Sequence, residues 1–473
     1  MVLNQQQNSD MIFDDSTSKV LNEVVITTIP EARNDDLPHS LDVTRGGAVE
    51  ASSYGDNNID GFLQRHGIGV RSIERVFVPT KVAQENSLGT TISAEYDEDE
   101  HQKGFSRSYK IVFESDIYVE RLCDELKKSN AIEDASPNFL SEICKTPNDS
   151  LYTNQWGPKI IDSEEAWDIE TGHDDVIIAI IDTGVDLTHQ DLKSKLLPGY
   201  DFVNLVGSQY GWDHKYGPYT AIGDYRTRDN NPSDENGHGT HCAGVAAAVS
   251  NNQTGITGMC WAGKILPVRV MYKIQFTRYK DFYNGIGSST DIAQGIKYAA
   301  DQNADVISMS LGGPPFPPPA QQKAVKYAYD KGVCLIAANG NNGTSQASYP
   351  GAFDQTLAVG AVDHNKNRAS FSQYGPNFGK FVMAPGVQIV STYLNNQYVK
   401  MSGTSMATPH VAGLAALIIS VAKRNKKTPS VEDVYSIIRD TATKQPGQTE
   451  TFYGQGLVNA KAALEAAKKK FGS

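Results

Sequence analysis

The sequence predicts an α/β protein, a parallel sheet with helices on both faces, preceded by a smaller α+β unit. Three observations lead there. From Lys145 onward, short β-branched runs suited to strands buried on both faces alternate with helix-like segments. Before that point the order strand, helix, strand occurs twice. The chain's 473 residues exceed what one hydrophobic core usually supports, so one large domain plus a smaller one, or two comparable domains, are expected.

The first 21 residues are polar, open on a glutamine run and lack periodicity, which predicts a disordered lead. A strand is expected around Val24 to Thr28, a helix over DNNIDGFLQRHG and a strand around Val70 to Val78. The acidic stretch ISAEYDEDEHQKG reads as a flexible surface loop. The second copy follows, with RSYKIVFES as strand, DIYVERLCDELKK as amphipathic helix and IEDASPNFL as last strand. Together they spell βαββαβ, the split ferredoxin-like pattern. In the larger region VIIAII, ADVISMSLGG and GVCLIAANG read as buried strands, and STDIAQGIKYAADQ and PAQQKAVKYAYDKG as the helices between them.

Bulk properties exclude some functions. A hydrophobic content of 39% is ordinary for a globular chain, and no apolar run approaches the roughly 18 residues a spanning helix requires, so no membrane partner is expected. The net charge of -12 argues against a nucleic-acid partner, which needs a concentrated basic face. Five cysteines, Cys123, Cys144, Cys242, Cys260 and Cys334, are too scattered for a disulfide framework and are expected to be free thiols. The N-terminus has neither a basic n-region nor an apolar h-region, which leaves open an intracellular protein or one whose leader has been removed.

Acyl transfer to serine needs a nucleophile, a base and a carboxylate that orients the base. Asp182 directly follows VIIAII, at the carboxyl end of a strand where open α/β sheets place their sites, although an Asp there also serves as an ordinary turn cap. His238 lies in NGHGTHCAGVAAAV, where Gly237 and Gly239 are expected to leave room for a substrate. His241 stands three residues on, the wrong spacing for a zinc helix. Ser405 opens the helix-like SGTSMATPHVAGLAALIISVA, where its N–H and the helix dipole face a developing oxyanion, provided Pro409 falls in the first turn; an N-capping serine is the alternative. A side-chain amide should supply a second oxyanion donor, and Asn339, Asn341 and Asn342 compete for that role.

The segments IDTGVDLTHQDL, NGHGTHCAGVAAAV and SGTSMATPHVAG resemble the Asp, His and Ser motifs of the subtilase family and occur in its chain order. The likeness continues through SMSLGG, AANGNNG, SYPG, APG and YGQGLVNA, and is closest in flavour to the thermitase branch. It implies a subtilisin-like serine endopeptidase with Asp182, His238 and Ser405 as the triad, Asn341 as the oxyanion amide, and Ser310, Leu311 and Gly312 as the strand that pairs with an extended substrate.

The resemblance also implies Ca²⁺ as a cofactor, held by Asp149, Asp191, Asn252, the carbonyls of Val249 and Ile256, and Thr254. Asp229 and Asp234 are candidates for a second calcium, or simply an exposed acidic loop. Residues 22–144 resemble the family's propeptide, an intramolecular inhibitor released by autoprocessing near the Cys144–Lys145 bond, with residues 145–473 as the catalytic domain. A monomer acting on polypeptides is expected. The S1 floor should lie near Asn342 and Ser348, and Asp234 and Glu235 are candidates for favouring basic residues at neighbouring subsites. Cys242 reads as a packing residue or as a thiol that sensitises the enzyme to mercurials.

Overall fold

The computed structural model describes residues 19–34, 37, 53–55, 57–77, 96–139, 146–205, 210–211, 217–277 and 283–472. The chain forms two compact units, divided between Ile143 and Cys144. The expected processing bond Cys144–Lys145 and most of the expected polar lead lie outside the described residues; residues 19–21 belong to the first strand rather than to the lead.

The N-terminal unit contains β1 (Lys19–Thr28), α1 (Asn57–Arg65), β2 (Val70–Arg75), α2 (Glu98–Gln102), β3 (Ser108–Phe113), α3 (Val119–Leu126) and β4 (Ile132–Phe139). Its sheet runs β2-β3-β1-β4 with every pair antiparallel. Side chains alternate across a strand, so Val24 and Ile26 of β1 and Tyr109, Ile111 and Phe113 of β3 face one core. Val119, Leu122, Cys123 and Leu126 of α3, at helical spacing, cover it. The acidic stretch differs from its loop expectation. Asp97 caps α2 by accepting from the Glu100 N–H while Glu100 reaches back to the Asp97 N–H, a capping box that turns clustered acids into helix-start residues.

The larger unit opens with α4 (Trp156–Ile160), α5 (Ser163–Ile169), β5 (Ile177–Asp182), β6 (Tyr200–Asp201), β7 (Tyr210–Gly211), β8 (Tyr219–Ile222) and α6 (His238–Ala247). Next come β9 (Lys264–Arg269), β10 (Tyr272–Phe276), β11 (Tyr283–Ile286), α7 (Ser289–Asp301), β12 (Val306–Met309), α8 (Pro319–Asp330) and β13 (Cys334–Ala338). It closes with β14 (Thr356–Val362), β15 (Phe381–Pro385), β16 (Ile389–Tyr393), β17 (Gln397–Met401), α9 (Thr404–Arg424), α10 (Val431–Asp440), α11 (Glu450–Tyr453) and α12 (Ala460–Phe471).

The main sheet is parallel throughout, in the order β15-β14-β13-β12-β5-β9-β6. β5 shows why its sequence is apolar at every position: Ile178 and Ile180 enter one core, Ala179 and Ile181 the other. The first core is closed by α6, α9, α10 and α12, the second by α7 and α8, which contribute Ile292, Ile296 and Val325. A separate antiparallel sheet, β11-β10-β8-β7, was not anticipated.

α9 corrects the expectation about apolar runs. By length and composition it is apolar enough to cross a membrane, but 94% of its most apolar stretch is buried inside the protein, as for a central core helix. Pro409 is also displaced from its expected place: the helix begins at Thr404, so the proline sits in the second turn. The four cysteines among the described residues, Cys123, Cys242, Cys260 and Cys334, are free and buried.

Candidate active site

Asp182 ends β5, Ser310 follows β12 and Asn341 stands three residues after β13, so three adjacent parallel strands deliver their carboxyl ends to one place. Asp182 is fully buried. Its Oδ1 lies 2.7 Å from Nδ1 of His238 and accepts the Thr183 N–H at 2.7 Å, while Oδ2 is buried without a hydrogen-bond partner among the described residues. His238 starts α6 and keeps 23% of its side chain exposed, against none for Asp182, so the ring bridges a buried carboxylate and solvent. Burial works against the charged ring, but the Asp182 carboxylate and the neighbouring Cys242 together hold His238 well above the usual histidine range.

The flanking glycines have a different purpose from the one expected. A Cβ on Gly237 would lie 2.1 Å from the Tyr393 ring, and one on Gly239 would lie 2.1 Å from the Gly184 carbonyl. The space is filled by the protein itself, and it is this close approach that seats the start of α6 on the turn after Asp182. His241, by contrast, is fully buried and bonds through Nε2 to the carbonyls of Ile389 (3.0 Å) and Val399 (3.2 Å). Burial pushes its pKa down to about 3, as befits a neutral structural imidazole.

Ser405 is the second residue of α9, and its hydroxyl donates to the Ser310 carbonyl at 3.1 Å rather than to His238. Catalytic hydrogen bonds are often unmade without substrate. Asn341 is drawn to the same helix start: its Oδ1 accepts from Thr404 N (2.9 Å) and Thr404 Oγ1 (3.0 Å), which turns its amide NH₂ away from Thr404. A Cβ on Gly403 would be 3.5 Å from Asn341 Nδ2 and 3.6 Å from Ser405 N, so the two donors flank one spot. Asn339 is buried with its amide on the Gln373 carbonyl, and Asn342 is exposed. Thr404 was missed by sequence reasoning; its only signal is adjacency to the serine.

Beyond Ser310, Leu311 and Gly312 have no backbone hydrogen-bond partner among the described residues, leaving their N–H and C=O groups free to pair with an extended chain. Ser348 is buried beside this strand, with Oγ 2.6 Å from the position of a Gly312 Cβ. Asp234 and Glu235 are both engaged internally. Asp234 accepts four hydrogen bonds at the start of α6, from Asn236 N, Gly237 N, Thr240 N and Thr240 Oγ1. Glu235 pairs with Arg269 at 3.0 Å. Asp229 closes a local turn onto Asn231 N and shares no hydrogen-bond partner with Asp234 among the described residues.

The first calcium candidates do converge. Asp149 accepts from Asn251 N (3.0 Å) and Asn252 N (3.3 Å). Asp191, fully buried, accepts from Asn252 Nδ2 (2.7 Å), Ile256 N (3.0 Å) and Tyr398 OH (3.3 Å), the last unforeseen. Val249 N donates to the Asp191 carbonyl, and Thr254 N to Asn252 Oδ1. Asn251 and Gln253 adopt positive φ, curling the loop tightly. Burial pushes Asp191 up to about 6 and raises Asp149, and the two carboxylates repel. Neither has an ion pair among the described residues. The Asp149 and Asp191 carboxylates are hard oxygen donors of the kind Ca²⁺ takes, whereas the contacts of Val249, Thr254 and Ile256 described above run through their N–H groups. Cys242 is buried with Sγ 3.9 Å from His238 Nδ1 and 3.5 Å from the Ser405 carbonyl, and burial raises its pKa.

Residues 173–456 match the sequence model of the subtilase family. The chain is 42% identical over 343 residues to a thermophilic serine proteinase of Bacillus sp. (strain AK1), covering 72% of this chain and 75% of that protein. It is 42% identical over 321 residues to thermitase of Thermoactinomyces vulgaris, covering 68% of this chain and 99% of that protein. Among solved structures, a protease from Pseudoalteromonas arctica PAMC 21717 superposes with a TM-score of 0.59 at 31% identity, over 68% of this chain and 100% of that one.

Proposed function

This chain belongs to the subtilase family and is a subtilisin-like serine endopeptidase, and from that premise we propose that Asp182, His238 and Ser405 carry its chemistry, in a zymogen stabilised by calcium. The observation that carries the assignment is the 2.7 Å contact between Asp182 and His238, with Ser405 as the second residue of the helix that starts at Thr404. With Nδ1–H committed to Asp182, Nε2 is left as the base. On substrate binding the Ser405 hydroxyl turns from the Ser310 carbonyl to His238, gives up its proton and attacks the scissile carbonyl. The oxyanion is received by Ser405 N–H and Asn341 Nδ2, and His238 returns the proton to the leaving amine before water repeats the cycle. Ser310, Leu311 and Gly312 align the substrate as an added strand.

Calcium, held by Asp149, Asp191, Asn252, Thr254 and the carbonyls of Val249 and Ile256, would tie the segment after Thr146 to the loop after α6; the donor chemistry supports this reading. The antiparallel β2-β3-β1-β4 sheet of the N-terminal unit, with α1 and α3 each joining a pair of strands, supports its role as a propeptide, with self-cleavage near Cys144–Lys145 and inhibition of the mature domain, a monomer acting on polypeptides. A fluorophosphonate probe tests the central assignment. It should label Ser405 and nothing in Ser405→Ala, and the Ser405→Ala chain should accumulate at full length. Labelling elsewhere, or conversion of purified Ser405→Ala without added protease, would refute it.

A further inference from the structure

We propose that the side-chain hydroxyl of Ser310 is a positioning residue for the reaction: it satisfies the Ser405 carbonyl that Pro409 leaves without a helical donor, and so fixes the nucleophile's place at the start of α9. This rests on the reading of Ser405 as nucleophile. In an α-helix each carbonyl accepts from the N–H four residues on. For Ser405 that residue is Pro409, which lies inside α9 and has no N–H. Ser405 is only 9% exposed, so its carbonyl is an acceptor that water serves poorly.

Two side chains take the missing donor's place. Ser310 Oγ donates to the Ser405 carbonyl at 2.8 Å, and Cys242 Sγ at 3.5 Å. A thiol is the weaker donor, so the hydroxyl carries the larger part. In return the Ser405 hydroxyl donates to the Ser310 carbonyl at 3.1 Å. The two serines are therefore joined twice, and only one of these bonds is released when Ser405 turns to His238. The bond from Ser310 Oγ persists through the reaction. Ser310 is itself 4% exposed and directly follows β12, a central strand bonded on both sides to β5 and β13. The helix that carries the nucleophile is thus pinned, at the nucleophile's own residue, to the sheet that carries Asp182. Proline within the second turn is what makes the pin necessary, since any other residue at 409 would supply the donor from the helix itself.

The test is a double-mutant cycle in the active enzyme, read as kcat and KM on a peptide anilide and as the rate of fluorophosphonate labelling at Ser405. Ser310→Ala should lower kcat and labelling about tenfold or more, since misplacement of a reacting group on the order of 1 Å costs roughly 100-fold, with KM little changed. Pro409→Ala supplies the N–H that Ser405 lacks, so Ser310→Ala/Pro409→Ala should regain most of the lost kcat. Should Ser310→Ala not fold, Ser310→Thr against Ser310→Val, equal in shape but differing in the hydroxyl, makes the same comparison. Wild-type kcat in Ser310→Ala, or a double variant no faster than the single one, overturns the proposal while labelling at Ser405 leaves the nucleophile standing. Absence of label at Ser405 in the wild type overturns both.

Discussion

Nδ1 of His238 lies 2.7 Å from Oδ1 of Asp182, at the boundary between a fully buried carboxylate and a ring that reaches solvent. The carboxylate favours the protonated ring and raises its pKa above the ordinary 6.5, against the effect of burial. Because only the neutral ring accepts the Ser405 proton, kcat/KM should fall as pH drops through a single ionisation lying above 6.5, and activity should be greatest on the alkaline side. Asp182→Asn should move that limb to lower pH and reduce kcat by about 10⁴-fold. A pH-rate profile of both proteins checks this, and an unmoved limb would contradict the pairing.

Asn341 is held by Thr404 through its amide oxygen, which aims the NH₂ at the space beside Ser405 N. Asn341→Ala should lower kcat by about 10²- to 10³-fold with KM nearly unchanged, because the lost bond forms only to the transition state. Thr404→Val should give a smaller loss in the same direction. Steady-state kinetics on one peptide substrate distinguish the two.

Asp149, Asp191 and Asn252 enclose one oxygen-rich loop. If calcium binds there, its removal should lower the melting temperature, and 100-fold excess over Kd should contribute about 2.7 kcal/mol of stability by mass action. Asp191→Asn should abolish most of the difference between melts with calcium and with chelator. Equal melts of the unsubstituted protein in both conditions would remove the metal from consideration.

Lys195 is buried, with Nζ donating to the carbonyls of Cys260 and Trp261 at 2.8 Å each. Burial lowers its pKa to about 8, from 10.5. Between those values the unfolded chain binds more protons than the folded one, so stability should rise with pH across about 8 to 10.5, by roughly 3 kcal/mol from this group. Lys195→Met should flatten that slope. Urea unfolding of the Ser405→Ala form at several pH values, where self-digestion is absent, measures it.

What the sequence disclosed depended on whether a residue's surroundings were local. The order of the N-terminal strands with α1 and α3, and the doubly buried β5, were legible because alternation and continuous apolarity are read from neighbours alone, as at Val24, Ile26 and Ile178 to Ile181. The acids at 97–100 were misread because composition outweighed the spacing of Asp97 and Glu100. Gly237 and Gly239 were correctly singled out and wrongly explained, since Tyr393 and Gly184, which crowd them, belong to other parts of the chain. Lys195 carried no signal of burial, its partners being carbonyls more than sixty residues away.

The seating of α6, with Tyr393 against Gly237 and the Gly184 carbonyl against Gly239, also sets where laboratory evolution can work on this scaffold. Any side chain at either position displaces His238 together with its support, so variants there should lose activity before they can alter selectivity. Library diversity belongs instead in residues such as exposed Asn342 and Phe316, where a new side chain meets solvent.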